Sequence, residues 1–235
     1  YTLMSDGTYR KEKKPVNRMF NFLYYDLGNL RTFNPYSFRL TAGGSNQFVL
    51  ASVEYKQTIS YKQKGKGLDV RLYGGFTGSI EDEKNPVDNP VNYKLQMSGD
   101  ATSKNLPYQQ DYLFDEVYLG RTEREGLTSQ QFGVSQGGFK AATFTGQSDS
   151  WLLALNVKTI FPGKLPFKLF ADIGMYDVPD GIPDELIINP MFDYGLEIAV
   201  FPGIFSVYLP FGYSKDIKEV YDLNSYYEKY SHRIR

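Results

Sequence analysis

An alternation of apolar and polar residues with a period of two runs through most of this chain. From Phe192 to Val200, every even-numbered residue is apolar, and the odd-numbered residues between them are Asp, Gly, Glu and Ala. After Pro202 and Gly203 the alternation resumes from Phe205 to Ser214. Successive side chains of a β-strand point to opposite faces, so this period predicts strands with one apolar and one polar face.

The same alternation recurs upstream and predicts a single all-β domain over residues 1–235. It is clear at 36–42, 49–56, 68–77, 93–98, 151–158 and 167–173, and weaker at Met19–Asp26, Phe139–Thr145 and Tyr226–Arg235. These segments indicate about 10–12 strands. Their order along the chain favours an antiparallel, up-and-down arrangement.

A soluble β-sandwich would also alternate, because its inner face is apolar and its outer face is polar. Three features favour a transmembrane β-barrel. The segments run longer than an ordinary strand of about 5–6 residues and approach the roughly 9–11 that a tilted membrane strand needs. The polar face carries charges near the strand centres, and aromatic residues, 16% of the chain, gather at the ends of the apolar runs. We therefore predict an outer-membrane barrel in a Gram-negative bacterium.

The barrel hypothesis assigns each face of the strands a role. The residues expected to face lipid are Leu40, Val53, Val70, Leu72, Leu95, Leu153, Leu155, Leu169, Leu196, Ile198, Val207 and Leu209. The residues expected to form aromatic girdles at the two membrane interfaces are Tyr36, Tyr61, Phe76, Trp151, Phe161, Phe192, Phe201, Phe205 and Tyr213. The charged residues expected in the lumen are Arg39, Glu54, Arg71, Lys94, Lys158, Asp172 and Glu197. Their mixed signs favour pairing across a narrow lumen over a selective pore.

Two substitutions test this assignment of the two strand faces. Leu196→Arg should abolish assembly, because a cation at mid-membrane on the lipid face costs about 2–4 kcal/mol. Glu197→Arg, on the lumenal face, is expected to be tolerated.

Connection lengths predict which strand ends face the same side. The short turns at Gln63–Gly67, Phe161–Pro166 and Phe201–Ile204 fall on one side, assigned to the periplasm, and the longer segment Ile80–Asn92 falls on the other. By this parity a long insert, residues 99–136, belongs to the periplasmic end or the lumen. We expect it to narrow the barrel, with Asp111, Asp115, Glu116 and Glu123 meeting Arg39, Arg71 and Lys94.

Composition argues against several functions. The net charge of −1 lacks the basic excess of a nucleic-acid-binding protein. The chain has no cysteine and one histidine, His232, so thiolate catalysis, Cys-ligated zinc and a two-histidine metal site are excluded within it. We expect no catalytic residue, no metal ligand and no cofactor in this chain.

Several uncommon short sequence motifs occur in order between residues 112 and 235. They are EVYLGRTEREG (Glu116–Gly126), SQQ (Ser129–Gln131), GGFK (Gly137–Lys140), WLLALNVK (Trp151–Lys158) and LPFKLFADIGMYD (Leu165–Asp177). This order resembles the carboxy-terminal, β-rich region of Gram-negative surface-associated proteins related to membrane alanyl aminopeptidases, which carry a gluzincin-type domain upstream. The resemblance implies a barrel module of a longer chain. The family's zinc motif HExxH has no counterpart here, so no catalytic residue carries over.

The leading hypothesis is therefore an integral outer-membrane anchor or scaffold of a larger assembly. Its expected partners are the lipid bilayer with lipopolysaccharide and the protein subunits of a membrane complex, without nucleic acid. Two alternatives stay open: a channel for small solutes, and the membrane anchor of a metallopeptidase whose catalytic domain is not in this chain.

Overall fold

The computed structural model describes most of the strand-forming sequence. The described residues are 2–3, 9–10, 19, 21–45, 48–63, 66–80, 95–98, 136–141, 145–160, 166–177, 190–201, 205–223 and 225–234. Residues 99–135 of the predicted insert, its four carboxylates, Lys94 and Phe161 lie outside them. Among the described residues, no helix has the length and apolar character needed to span a membrane.

One antiparallel sheet of eight strands dominates the fold, which confirms the all-β, antiparallel prediction. Its strands are β3 (Asn21–Asn29), β4 (Tyr36–Gly44), β5 (Phe48–Ser60), β6 (Gly67–Ser79), β9 (Trp151–Ile160), β10 (Phe167–Tyr176), β11 (Met191–Phe201) and β12 (Phe205–Tyr213), paired in that order. Two-residue strands form separate pairs: β1 (Thr2–Leu3) with β2 (Tyr9–Arg10), and β7 (Leu95–Gln96) with β8 (Gln147–Ser148). Within the described residues, β3 and β12 are the two edges, and the sheet is not closed into a barrel.

A short helical segment follows the last strand. It comprises α1 (Lys215–Leu223) and two 3₁₀ turns, Ser225–Glu228 and Tyr230–Arg233. The strand predicted at Tyr226–Arg235 is therefore wrong. Tyr226, Tyr230 and Ile234 fit a period of two, but Tyr227 is buried beside Tyr221 of α1, with ring centroids 5.0 Å apart, so tertiary packing overrides the local pattern.

The two ends of the sheet differ in the length of their connections. At one end, the turn end, lie the connections 30–35, 61–66, 161–166 and 202–204; at the other, the loop end, lie 45–47, 80–150, 177–190 and everything after 213. The prediction that the short turns share one side is confirmed. The parity argument for the insert fails, because the described parts of the strands predicted at 93–98 and 139–145 do not join the large sheet. Residues 80–92 and 99–136 belong to the same connection, between β6 and β9.

An apolar core fills the inner face of the sheet at the loop end. We call inner the face that bears Arg71 and Glu197, and outer the opposite face. The core contains buried side chains from the strands, from the β6–β9 connection and from the helical segment after β12: Phe48, Leu50, Leu95, Met97, Phe139, Ala141, Leu152, Ala154, Met191, Ile217, Tyr221 and Tyr227. Phe22 of β3 and Tyr213 of β12 both pack against it, so the two edge strands bend towards one core.

Two predicted outward residues lie inside. Leu95 is fully buried in the core, because its strand pairs with β8 and is not part of the eight-stranded sheet. Tyr213 packs against the core and Tyr221, at 4.9 Å between ring centroids. A register shift where β11 and β12 pair, between Tyr194 and Gly195, breaks the period of two and turns Tyr213 inward.

Candidate functional site

The pairing register aligns a row of polar side chains across the inner face. Lys56, Arg71, Asn156, Asp172 and Asp193 are direct cross-strand partners on five successive strands, β5, β6, β9, β10 and β11. We call these five residues the polar row. All but Lys56 are buried, with 1–7% of each residue exposed. Lys56 and Arg71 carry like charges, as do Asp172 and Asp193, so burial of the row depends on partners from outside it.

Glu54, next to the polar row on β5, pairs with two of its members, Arg71 and Lys56. Arg71 Nε donates to Glu54 Oε1 at 2.6 Å, and Arg71 Nη1 donates to Asn156 Oδ1 at 2.7 Å. Lys56 Nζ lies 2.7 Å from the other Glu54 oxygen. Towards the β3 edge, Arg39 and Asp26 form a separate ion pair at 2.6 Å whose side chains are 55% and 56% exposed. The predicted lumenal residues Arg39, Glu54 and Arg71 thus lie on one face, and only the last two are enclosed.

Residues 136–141, which we call the inner segment, bind the other half of the row. Lys140 Nζ donates to Asp172 Oδ1 at 2.9 Å, and the same oxygen accepts from Asn156 Nδ2 at 2.9 Å. The backbone N–H groups of Lys140 and Ala141 both donate to Asp193 Oδ2, the first at 3.0 Å. Asn156 Nδ2 also donates to the carbonyl of Gly137 at 2.9 Å. One end of the β6–β9 connection is therefore fixed to the polar row by side-chain and backbone contacts.

A glycine allows this close approach. Gly138 has φ +69°, a conformation that favours glycine, and a Cβ placed there would lie 2.8 Å from Arg71 Nη1. Sequence reasoning did not assign Lys140 or Asp193 to a site. The available signal was the pair Gly137 and Gly138 directly before Phe139 and Lys140, which indicates a tight backbone approach but not its partner.

A second cluster surrounds Glu197, closer to the turn end. Lys158 Nζ lies 2.9 Å from Glu197 Oε2, and Lys168 Nζ lies 2.8 Å from Glu197 Oε1. Ser206 Oγ donates to the same Oε1 at 3.1 Å. Glu197 is 1% exposed, so this carboxylate is the buried counter-ion of two lysines. The expectation that Glu197→Arg is tolerated is revised, because the change would leave three cations together.

A cavity of about 370 Å³ lies on the inner face beside these clusters. Its lining includes residues from the turn before β4, from β5, β6 and β9, from the inner segment and, across the face, Tyr208 of β12. Strands near both edges of the sheet therefore border one cavity.

The outer face carries the residues expected to contact lipid. Five of those expected residues are at least 40% exposed: Leu40, Val53, Leu72, Leu153 and Leu169. Six more are partly exposed: Val70, Leu155, Leu196, Ile198, Val207 and Leu209. No outward position of the eight described strands is charged. Of the expected girdle residues, Tyr61, Phe76 and Phe192 are exposed, Tyr36 and Trp151 are partly exposed, and Phe201 and Phe205 lie at strand ends where their side chains are not described.

In the described part of the chain, no group of three or more His, Asp or Glu side chains is arranged to hold a metal ion. Comparisons with protein-family models, with curated proteins and with solved structures found no match to this chain.

The contact between Asp193 and the inner segment gives a direct prediction. Asp193→Ala removes the acceptor of two buried backbone N–H groups, and each unsatisfied buried group costs about 1–3 kcal/mol. The inner segment should detach, which exposes Lys140, a residue that is 6% exposed in the parent. Trypsin should then cleave after Lys140 at least about tenfold faster than in the parent.

Asp193→Asn is the matched control, because its amide oxygen still accepts both N–H groups, and it should keep most of the protection. The assay is the time course of the fragment ending at Lys140. Equal cleavage of parent and Asp193→Ala would show that Asp193 does not hold the segment.

Proposed function

We propose that this chain is an integral outer-membrane β-barrel that serves as the anchor or scaffold of a larger assembly. The observation that carries the proposal is the inverted polarity of the sheet: its outer face is apolar and exposed, and its inner face holds buried ion pairs. A soluble β-protein also buries an apolar core, but its outer face carries polar and charged side chains.

The exposed fractions of individual residues differ strongly between the two faces. Leu72 is 48% exposed, Leu153 53% and Ile173 44%, whereas Asp172 is 2% exposed and Glu197 1%. A contiguous apolar surface of this kind marks an interaction with a membrane or a partner. Lipid acyl chains suit it best, because it extends over all eight strands without a charged residue.

The strand arrangement supports closure of the sheet. Eight strands joined in an up-and-down order leave β3 and β12 running antiparallel, which is the direction that closure between them requires. Phe22 and Tyr213, one from each edge strand, already share one core. A closed barrel of eight strands has an interior just wide enough for side chains to fill. On the inner face of this sheet, the core fills the loop end and the polar row crosses the middle, with the cavity nearer the turn end.

The filled loop end favours anchoring over transport. Among the described residues, the β6–β9 connection and the helical segment after β12 contribute seven of the twelve buried core residues there, Leu95, Met97, Phe139, Ala141, Ile217, Tyr221 and Tyr227. The resemblance of residues 112–235 to aminopeptidase-related surface proteins supports the further proposal that the assembly includes a metallopeptidase domain. The proposed surroundings are the outer membrane of a Gram-negative bacterium, with lipopolysaccharide and partner subunits as contacts.

A solute channel is the second candidate, and the cavity near the turn end is the observation that favours it. Stable current through the purified chain in planar bilayers would support a channel. Absence of current from inserted, folded protein would support the anchor.

The membrane assignment is tested with single cysteines, because the chain has none of its own. Leu153→Cys on the outer face and Lys56→Cys on the inner face are each labelled with bimane and reconstituted into vesicles whose lipids carry bromine on the acyl chains. We expect strong quenching at position 153 and weak quenching at position 56. Equal quenching at the two positions, or strong quenching only at position 56, would contradict the proposal.

A further inference from the structure

The cavity near the turn end has a cationic wall. Among the described residues that line it are Lys56, Arg71, Lys140 and Lys158, against one carboxylate, Asp69. The carboxylates that pair with these four cations, Glu54, Asp172 and Glu197, do not line the cavity. Asp69 accepts a hydrogen bond from Thr58 Oγ1 at 2.6 Å.

The cations retain donor capacity beyond their ion pairs. Within the described residues, the Lys140 and Lys158 ammonium groups each have one ion-pair partner, although an ammonium has three N–H donors. Arg71 uses Nε and Nη1 for Glu54 and Asn156, and a guanidinium has five N–H donors. Arg71 and Lys140 are more than nine-tenths buried, so an anion that reached them would be bound in a region of low dielectric constant.

The other part of the lining is apolar. Leu30 and Pro35, from the turn between β3 and β4, line the cavity together with the aromatic ring of Tyr208. Leu30 is 97% exposed, so it has apolar surface left for a ligand to cover. A volume of about 370 Å³ falls within the range of small-molecule sites, which combine apolar walls with a few placed polar groups.

We propose that this cavity binds a small organic anion with one carboxylate and an apolar body. The carboxylate lies among Lys56, Arg71, Lys140 and Lys158, and the apolar body lies against Leu30, Pro35 and Tyr208. The site lies on the inner face, so ligand binding can be measured on protein in detergent, whether or not the protein inserts into a bilayer.

Calorimetric titration of the purified chain with phenylacetate and with its neutral analogue phenylacetamide tests the proposal. We expect saturable binding of phenylacetate, at least about tenfold tighter than phenylacetamide, since a charge-assisted hydrogen bond contributes about 1.5–3 kcal/mol. The double variant Lys56→Gln with Lys158→Gln should lose this preference, and phenylacetate should bind it at least about tenfold more weakly. Lys215→Gln with Lys218→Gln makes the same charge change on α1, at residues that do not line the cavity, and should bind like the parent.

Folding is controlled by comparing the unfolding midpoint of each variant with that of the parent. If the double variant does not fold, Lys56→Gln alone replaces it, because Lys56 is half-exposed, and it should weaken phenylacetate binding by about threefold. Equal affinity of the parent for acid and amide, or an undiminished preference in the variants, would overturn the proposal.

Discussion

Leu72→Arg should prevent the protein from inserting into the outer membrane. Leu72 lies near the middle of β6, on the outer face, and is 48% exposed. In water such a residue tolerates arginine, because an exposed substitution changes stability by about 0.5 kcal/mol or less. In a bilayer an arginine at mid-depth on the lipid face costs about 2–4 kcal/mol. The substitution therefore separates a membrane protein from a soluble one.

The measurement is the fraction of protein in the outer-membrane fraction that migrates differently on gels before and after heating. Leu72→Met keeps an apolar side chain at the same position and should insert normally. Ser37→Arg adds the same cation on the inner face, at an exposed position beside the cavity, and should also insert. Normal insertion of Leu72→Arg would refute the membrane assignment.

Glu197→Arg should be the most destabilising single change on the inner face. It removes the only carboxylate that contacts Lys158 and Lys168 among the described residues and adds a third cation beside them. Removing one partner of a buried ion pair costs about 3–5 kcal/mol, and the added repulsion increases that cost. The measurement is the free energy of unfolding in urea, in lipid vesicles or detergent.

The two lysines provide matched controls for this change. Lys158→Gln or Lys168→Gln alone leaves Glu197 with one cation and should cost about 1 kcal/mol. The double variant leaves a buried carboxylate without a cation, so its cost should exceed the sum of the two single costs. Additive effects of the two lysine variants would show that Glu197 does not depend on them.

The alternation of residues predicted the faces of the long strands correctly, for a physical reason. The period of two depends on local backbone geometry alone, so a segment such as 167–176 reveals its two faces without knowledge of its neighbours. The pattern could not distinguish a long sheet strand from a short segment that alternates by chance. The segment predicted at 93–98 is such a case: in its described part, Leu95 and Met97 are buried in the core against the inner face, outside the large sheet.

The predicted charged residues on the inner face were found, but their partners were not. Arg71, Asp172 and Glu197 are visible as charges on the polar side of alternating strands. Lys140 comes from an irregular segment, and no local pattern indicates that such a lysine reaches β10. Asp193 lies on the polar side of its strand like Glu197, but no local pattern indicates its backbone partners at residues 140 and 141. The bulge that turns Tyr213 inward depends on the pairing register of β11 and β12, which a single strand sequence does not encode.

The long connection between β6 and β9 has a consequence for how the protein folds. It divides the eight strands into two four-stranded meanders, 21–79 and 151–213. Within each meander the longest connection is about 14 residues or less, whereas the connection between the two meanders is about 70 residues long. Closing the longer loop costs roughly 2–3 kcal/mol more chain entropy than closing one of the short turns. Each meander should therefore form first, with β6 and β9 pairing late, and the two halves expressed as separate polypeptides should be able to reassemble into one sheet.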